Sequence, residues 1–250
     1  MKKAPTAWAR HLLRGLALLV LCTLALQVVF ALRIALMRYV DPASTTFQRS
    51  EAWRLLSEKQ QILWSQAWVG STQISDHLKR AVIASEDAGF VDHGGVEWDA
   101  IKGAWGKNQV SAQVAKVRSG QQRGKVQAKV VGGSTITQQL AKNLLLSGER
   151  TVLRKGQELL ITLLLEALLS KERILEIYLN HVEWGEGLFG AQAAARHYFG
   201  VDAARLGALQ AARLAVMLPA PKRYEKQPSS AYVLGRAARV VARMGAVDIP

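Results

Sequence analysis

Hydrophobic residues form one long block near the start of the chain. Residues 15–32 contain no charged side chain, and the polar residues within them are Thr23 and Gln27. A helix of this length rises about 27 Å, which is enough to cross the hydrocarbon core of a bilayer. Basic residues precede the block at Lys2, Lys3, Arg10 and Arg14. The pattern predicts a retained transmembrane anchor over residues 15–37 and a cytoplasmic N-terminus over residues 1–14. The alternative is a cleaved signal peptide, which would have a shorter apolar core and a small-residue cleavage site.

After the anchor, apolar residues recur at helical spacing, and strand-like alternation is scarce. A linker is predicted over residues 38–50, followed by a folded domain over residues 51–250. Helices are predicted over residues 51–68, 78–88, 98–105, 135–146, 152–169, 171–179, 190–199, 202–217 and 230–244. The sequence therefore predicts an all-α domain behind a single anchor.

Positive charge is concentrated in one part of the chain. The formal net charge is +14, and no acidic residue lies between Asp99 and Glu149, an interval that contains eight lysines and arginines. Its middle part, about residues 106–130, is polar and is predicted to be a flexible basic loop. The charge favours an anionic partner, such as lipid headgroups, phosphates or nucleic acid. The one cysteine, Cys22, lies in the predicted anchor, so a disulfide framework is excluded.

The stretch SEDAGFVDHGG places two adjacent carboxylates at a predicted helix end. Glu86 and Asp87 are followed by the aromatic ring of Phe90 and the imidazole of His93. A carboxylate in such a place can serve as a general base in a cleft. The alternative is a solvated charge pair at a helix end, with His93 as a structural histidine.

The stretch GGSTITQQLAKN combines flexible glycines with a predicted helix start. Ser134 is the expected N-cap, and the free N–H groups of a helix start favour a phosphate. Two polar stripes are predicted, one of Ser134, Gln138 and Lys142 and the other of Gln139 and Asn143. The alternative is an ordinary capped amphipathic helix whose polar residues face water.

The third helical stretch carries charges on an otherwise apolar helix. Arg154, Glu158, Thr162 and Glu166 follow one another at intervals of four residues. Buried charges need partners, and Arg154 precedes Glu158 by one turn. A structural ion-pair ladder is predicted for Glu166, while the role of Glu158 stays open. The small residues within 183–200 predict close helix packing.

Together these stretches resemble the ordered motifs of the peptidoglycan glycosyltransferases, glycosyltransferase family 51. The matching segments are EDAGFVDHGG (86–95), GGSTITQQLAKN (132–143), RKGQE (154–158), KERILEIYLN (171–180) and GLFGAQAAARHYFG (187–200). With one anchor and a chain of 250 residues, the resemblance is to the monofunctional biosynthetic peptidoglycan transglycosylases. The basic loop is longer than the family pattern.

The resemblance implies a lysozyme-like glycosyltransferase domain with a small membrane-proximal lobe. It implies transfer of a growing glycan from undecaprenyl diphosphate to the 4-hydroxyl of lipid II, with β-1,4 bonds formed by inversion. It also implies a single-pass protein of the bacterial inner membrane with a periplasmic catalytic domain. A divalent cation, Mg²⁺ or Mn²⁺, is expected as cofactor, and no organic cofactor. Cell-wall synthesis or division proteins are candidate partners, and nucleic acid is not.

The resemblance also implies roles for individual residues. Glu86 matches the catalytic glutamate, and Glu158 matches the second family glutamate, which is expected to orient basic residues or bind a cation. The expected substrate-binding residues are Asp87, Phe90, His93, Ser134, Thr135, Gln138, Gln139, Lys142, Asn143, Arg150, Arg154 and Lys155. Among them, Lys142, Arg150 and Lys155 match the bases that contact the diphosphate.

Two other functions are compatible with parts of the sequence. A lysozyme-like hydrolase that inverts would need two carboxylates about 6.5–9.5 Å apart, one of them protonated. The dense positive charge around Glu158 argues against a protonated acid there. A membrane-tethered anion-binding protein without catalysis is permitted by the basic loop, although that loop lacks the interleaved aromatics that stack on single strands.

Overall fold

The computed structural model describes residues 7–98, 134–146, 148–149 and 151–250. The predicted basic loop (106–130), the glycines that precede Ser134, and Arg150 therefore lie outside the described residues. The helix predicted over residues 98–105 is described only at its first residue, Trp98.

The described part of the chain is predominantly helical, which confirms the all-α prediction. The helices are α1 (Ala7–Leu36), α2 (Thr46–Lys59), α3 (Asp76–Glu86), α4 (Ile136–Leu145), α5 (Val152–Leu168), α6 (Lys171–His181), α7 (Ala191–Phe199), α8 (Ala208–Met217), α9 (Pro221–Tyr224) and α10 (Ala231–Met244). Short 3-10 turns lie at Ser71–Gln73 and Ala203–Arg205.

A small sheet that the sequence did not predict lies beside the helices. It consists of β1 (Ser65–Gln66), β2 (Glu183–Gly185) and β3 (Leu188–Phe189), in the order β1-β3-β2. Strand β3 is parallel to β1 and antiparallel to β2. Strands of two or three residues are too short to show an alternating pattern, so periodicity could not reveal them.

Three predicted helix boundaries differ from the observed ones by five or more residues, and local capping explains each. Helix α2 begins at Thr46, inside the predicted linker, because Thr45 forms a capping box with Gln48. It ends at Lys59 rather than residue 68, since Gln60 adopts a left-handed conformation with φ of 52°. The predicted helix over residues 202–217 is a 3-10 turn followed by α8, which starts after Gly207.

The N-cap of α4 also differs from the prediction. Thr135, not Ser134, accepts the N–H of Gln138 and forms a capping box with that residue. Ser134 precedes the helix and is exposed. The predicted stripe of Ser134, Gln138 and Lys142 is therefore wrong, because Gln138 is buried and its side chain accepts the N–H of Thr135.

Helix α1 is long enough and apolar enough to cross a membrane. The span Arg10–Leu36 contains an 18-residue window with a mean hydropathy of 2.5. The end of α1 packs on the domain, with Ile34 and Met37 buried. Arg173 of α6 reinforces this contact, because it donates to the carbonyl of Met37 at 2.8 Å and pairs with Asp41 at 2.7 Å. The C-terminal end of α1 is therefore packed against the folded domain.

The hydrophobic core surrounds α3, α8 and α10, which pack against one another. Helix α4 packs against α2, α5 and α6, and its residues Ile136, Leu140 and Leu144 belong to the same core. The core fixes the end of α3, where the two adjacent carboxylates lie, against the side of α4. This packing determines the geometry of the site.

Candidate active site

Glu86 is the last residue of α3, and its half-buried carboxylate faces α4. Gln139 donates a hydrogen bond from Nε2 to Oε2 of Glu86 at 3.1 Å. The hydroxyl of the buried Tyr178 donates to Oε1 of Gln139 at 3.0 Å, so the amide is held in one orientation. Burial raises the pKa of Glu86, the hydrogen bonds from Gln139 and Ser85 oppose the shift, and the charge of Asp87 adds to it. A carboxylate with a raised pKa is a stronger base.

Asp87 locks the start of α4 against the loop that follows α3. Its buried carboxylate accepts the N–H of Ile136 at 2.9 Å through Oδ2 and bonds to Nε2 of His93 at 2.8 Å through Oδ1. The N–H of Gly95 donates to Nδ1 of His93 at 3.1 Å. Because Nδ1 accepts, the ring carries its proton on Nε2 and donates it to Asp87.

A second set of contacts, made by Lys171 of α6 and Glu166 of α5, supports the loop that follows α3. Lys171 donates to the carbonyl of His93 at 2.6 Å and lies over the ring of Phe90 at 4.6 Å. Its ammonium group also pairs with Glu166 at 2.9 Å, and Glu166 accepts the hydroxyl of Thr137 at 2.6 Å. Glu166 is therefore part of a structural ion pair, as predicted, but its partner is Lys171 on the next helix rather than a residue of its own helix.

A cleft of about 440 Å³ opens beside Gln139. Its lining includes Lys142 and Asn143 of α4 and Arg154 of α5. Through Gln139 this cleft lies next to the carboxylate of Glu86. A negatively charged group bound in the cleft would lie against a wall that contains two cationic side chains, close to the Glu86 carboxylate.

Glu158 is almost fully buried and holds two cations. Arg154 donates to its Oε2 at 2.8 Å, which confirms the predicted pairing at one helical turn. Lys155 donates to Oε1, and its side chain remains 56% exposed. The hydroxyl of Thr162 donates a hydrogen bond to the backbone carbonyl of Glu158 at 2.8 Å. Thr162 therefore bonds to the backbone of its own helix and not to a charged side chain. Glu158 thereby fixes the position of Arg154 and Lys155.

Comparison with the sequences of known proteins gives matches over most or all of the chain. The transglycosylase family profile matches residues 56–245. A protein of Paraburkholderia xenovorans is 46% identical over 249 residues, which cover 100% of this chain and 96% of the relative. A protein of Bordetella avium is 53% identical over 210 residues, 84% of this chain and 83% of the relative. A protein of Burkholderia vietnamiensis is 51% identical over 91% of this chain and 86% of the relative. All three carry the name biosynthetic peptidoglycan transglycosylase.

The chain belongs to the transglycosylase family. It is therefore a glycosyltransferase enzyme, and the resemblance stated from the motifs is confirmed. In this transglycosylase the motifs that are far apart in sequence converge on one place. The segment 86–95 lies against the start of α4, and the segment 154–158 contributes to the same cleft as α4.

The structure divides the predicted site residues of this transglycosylase into two groups. The cleft is lined by Gln139, Lys142, Asn143 and Arg154. Glu86 adjoins it through Gln139, and Lys155 donates to Glu158, which also binds the cleft residue Arg154. The side chains of Asp87, Phe90, His93, Thr135 and Gln138 instead bind other parts of the protein. Ser134 is exposed just before α4. For both groups, contact with substrate stays a prediction.

The described side chains do not form a metal site. Within the described ranges, no three His, Cys, Asp or Glu residues are grouped so that they could hold a metal ion. Both carboxylate oxygens of Glu158 already accept hydrogen bonds from cationic side chains. Glu158 therefore does not fit as a ligand, and the divalent cation stays a prediction of the family resemblance.

Tyr178 and Glu183 are among the residues of the site that sequence reasoning missed. Tyr178 was part of a motif without an assigned role, and its contact with Gln139 spans 39 positions of the chain. Glu183 was included in a stretch that was predicted to pack helices, yet it lines the cleft. The sequence signal that could have identified Glu183 was its charge, since it is the one acidic residue among the small and apolar residues of VEWG.

Proposed function

We propose that this enzyme polymerises the glycan strands of peptidoglycan. It transfers a growing glycan from undecaprenyl diphosphate to the 4-hydroxyl of lipid II. The observation that carries this proposal is the half-buried Glu86 carboxylate, held by Gln139 beside a cleft that Lys142 and Arg154 line. The family membership and the names of the relatives agree with this substrate class.

Glu86 acts as the general base for the acceptor. Its carboxylate removes the proton of the 4-hydroxyl while the oxygen attacks the anomeric carbon of the donor sugar. The bond between that carbon and the diphosphate oxygen breaks at the same time, and the electron pair leaves with the diphosphate. Attack from the face opposite the leaving group inverts the configuration, so an α-linked donor yields a β-1,4 bond.

The cationic residues stabilise the leaving group. A diphosphate needs positive charge rather than a proton donor, because its oxygens are already anionic near neutral pH. Lys142 and Arg154 lie in the cleft, and Glu158 holds Arg154 and Lys155 in place. Arg150 is assigned to the same role by its motif position. Removing one such contact weakens transition-state stabilisation by about 2–4 kcal/mol.

The anchor determines where the reaction takes place. Helix α1 is proposed to cross the inner membrane once, with its basic N-terminus in the cytoplasm and the catalytic domain in the periplasm. The lipid tails of donor and acceptor would then remain in the membrane beside the domain. The proposal also includes a requirement for Mg²⁺ or Mn²⁺, which loss of activity on addition of EDTA tests. It further includes contacts with other cell-wall proteins.

Turnover of labelled lipid II by the full-length protein in detergent tests the proposed function. The wild type should produce glycan strands that are resolved by size on a gel, and the Glu86→Gln variant should lose at least about a hundredfold in rate. The variant keeps the volume of the side chain, so its fold should be unchanged.

Glu172→Gln is the matched control for this experiment. Glu172 lies exposed in the first turn of α6, and its loss should leave the rate unchanged. Polymerisation by Glu86→Gln at the wild-type rate would exclude Glu86 as the base. Failure of the wild type to form strands from lipid II would contradict the proposed function as a whole.

A further inference from the structure

Glu183 is a buried carboxyl group in the wall of the cleft that none of the steps above uses. It begins β2, is only 8% exposed and lines the cleft together with Gln139, Lys142 and Arg154. A carboxyl group in that position, beside the proposed site of an anionic diphosphate, would be repulsive if it were ionised. Its presence therefore requires a physical explanation.

The partner that is nearest to Glu183 is engaged elsewhere. The ammonium of Lys222 lies 3.4 Å from Oε1 of Glu183, but it donates its short hydrogen bond to Glu51 of α2. Glu51 is bonded by Arg54 as well. Oε1 of Glu183 is fully buried and has no hydrogen-bond partner among the described residues.

The surroundings of Glu183 favour its neutral form. Burial raises the pKa of Glu183 to about 7, with Lys222 opposing the shift and the charges of Glu51 and Glu225 adding to it. His181, two residues earlier, is kept neutral by burial, which lowers its pKa to about 4. The other charged groups that line the cleft are Lys142, Arg154 and the exposed Glu149. A bound diphosphate would disfavour an ionised Glu183 further.

We propose that Glu183 is a substrate-binding residue, whose neutral carboxyl group donates a hydrogen bond to an uncharged acceptor oxygen on the sugar part of the substrate. The oxygen that accepts this hydrogen bond belongs to a hydroxyl or acetamido group of the sugar, next to the cations that hold the diphosphate. This inference rests on the proposed function and deepens it, because it assigns one wall of the cleft to the neutral part of the same substrate.

The proposal predicts a signed dependence on pH. Glu183 must be protonated to donate a hydrogen bond to the substrate. Its contribution to substrate binding is therefore present below the pKa of Glu183 and is lost as pH rises through that pKa. The KM for lipid II should therefore increase from pH 6 to pH 8 in the wild type. Glu86 acts in the opposite direction and on kcat, because a base must be ionised. The two residues are thus separable by measuring KM and kcat at each pH.

Steady-state polymerisation of lipid II by Glu183→Gln and Glu183→Leu variants of the full-length protein tests the proposal. The glutamine amide still donates a hydrogen bond and cannot ionise, so its KM should equal that of the wild type at pH 6 and stay constant to pH 8. The leucine cannot donate, so its KM should be about 3–10-fold higher at pH 6 with a smaller change in kcat.

Glu149→Gln is the matched control, because Glu149 is an exposed carboxylate of the same cleft and its loss should preserve the wild-type pH dependence. If Glu183→Gln retains the wild-type increase of KM with pH, Glu183 is not the group and the proposal is wrong. This result is valid even if the leucine variant fails to fold. A wild type that forms no strands overturns the proposed function, and the inference falls with it.

Discussion

Gln139 connects the carboxylate of Glu86 to the rigid part of the protein. It donates to Glu86 and accepts the hydroxyl of Tyr178. Burial, together with the charges of Glu86 and Asp87, raises the pKa of Tyr178, so this hydroxyl stays a proton donor. The direction of the chain of hydrogen bonds is therefore fixed, and Gln139 presents its N–H group to the base.

Replacing Gln139 by leucine should impair the base without removing it. The hydrogen bond from Gln139 lowers the pKa of Glu86, so its loss lets burial raise that pKa further. A general base loses activity as pH falls through its pKa, because it becomes protonated. Since the pKa of Glu86 is higher in the variant, the acidic limb of the kcat profile should move to higher pH. At pH 6.5 the rate should fall about tenfold, since a hydrogen bond to a charged group contributes about 1.5–3 kcal/mol.

Tyr178→Phe provides the comparison for Gln139→Leu. It leaves the amide of Gln139 in place and removes only the group that orients it, so the shift of the acidic limb should be smaller and in the same direction. An acidic limb that does not move in the Gln139→Leu variant would contradict the assignment. The measurement is the initial rate of lipid II polymerisation between pH 5 and pH 9.

Candidate residues were recognisable where a short motif carries them, and not where distant segments meet. The position of Glu86 near a helix end could be predicted from its own surroundings in sequence, while its role as a base stays a prediction. The Tyr178–Gln139 contact could not, because packing of α6 against α4 creates it. Glu183 was missed for the same reason, since burial and the sharing of Lys222 with Glu51 are properties of the folded chain.

At the scale of elements, the relation between α3 and α4 defines the site. The carboxylate of Asp87 follows α3 and accepts the first N–H of α4, that of Ile136. Thr135 donates to the carbonyl of Gly95 at 2.6 Å, which ties the start of α4 to the intervening loop. A carboxylate at a helix N-terminus is also favoured by the helix dipole. These bonds fix Glu86 relative to Gln139.

Replacing Asp87 by alanine should destabilise the domain by about 2–4 kcal/mol. The change leaves the N–H of Ile136 and the Nε2–H of His93 without their acceptor in a buried place. Asp76→Ala at the exposed start of α3 is the control and should change stability by less than about 1 kcal/mol. Urea unfolding in detergent, followed by tryptophan fluorescence, measures both. Equal stability of the two variants would show that Asp87 does not hold α4.

Long helices were predictable as elements because many residues contribute to their periodicity, but their ends were not. The start of α2 depends on the capping box of Thr45 and Gln48, and its end depends on the backbone of one residue, Gln60. The three strands depend on pairing between β1 and a hairpin more than 100 residues away. The strand pairing arises from tertiary contacts that a local pattern does not contain, whereas the helix ends depend on single capping residues that do not affect the hydrophobic periodicity.

At the scale of the whole molecule, the anchor is fastened to the catalytic domain at defined points. Gln27 of α1 and Gln157 of α5 exchange two amide hydrogen bonds of 2.9 Å each. The charged contacts of Arg173 fasten the end of α1. Since α5 also carries Arg154 and Glu158, the same helix joins the anchor to the cationic wall of the cleft.

A double-mutant cycle on this glutamine pair tests whether the anchor and the domain are energetically coupled. Gln27→Leu or Gln157→Leu alone leaves one amide without its partner, so each should destabilise the full-length protein by about 1 kcal/mol. The double variant removes both polar groups and should be more stable than the sum of the single effects predicts, with a coupling energy of about 1 kcal/mol. Thermal unfolding in nanodiscs, where α1 is held in a bilayer, measures all four proteins. Additive effects would mean that the glutamine pair does not couple the two helices, and then the position of the cleft relative to the membrane would depend on the other contacts of α1, among them those of Arg173 and of the buried Ile34 and Met37.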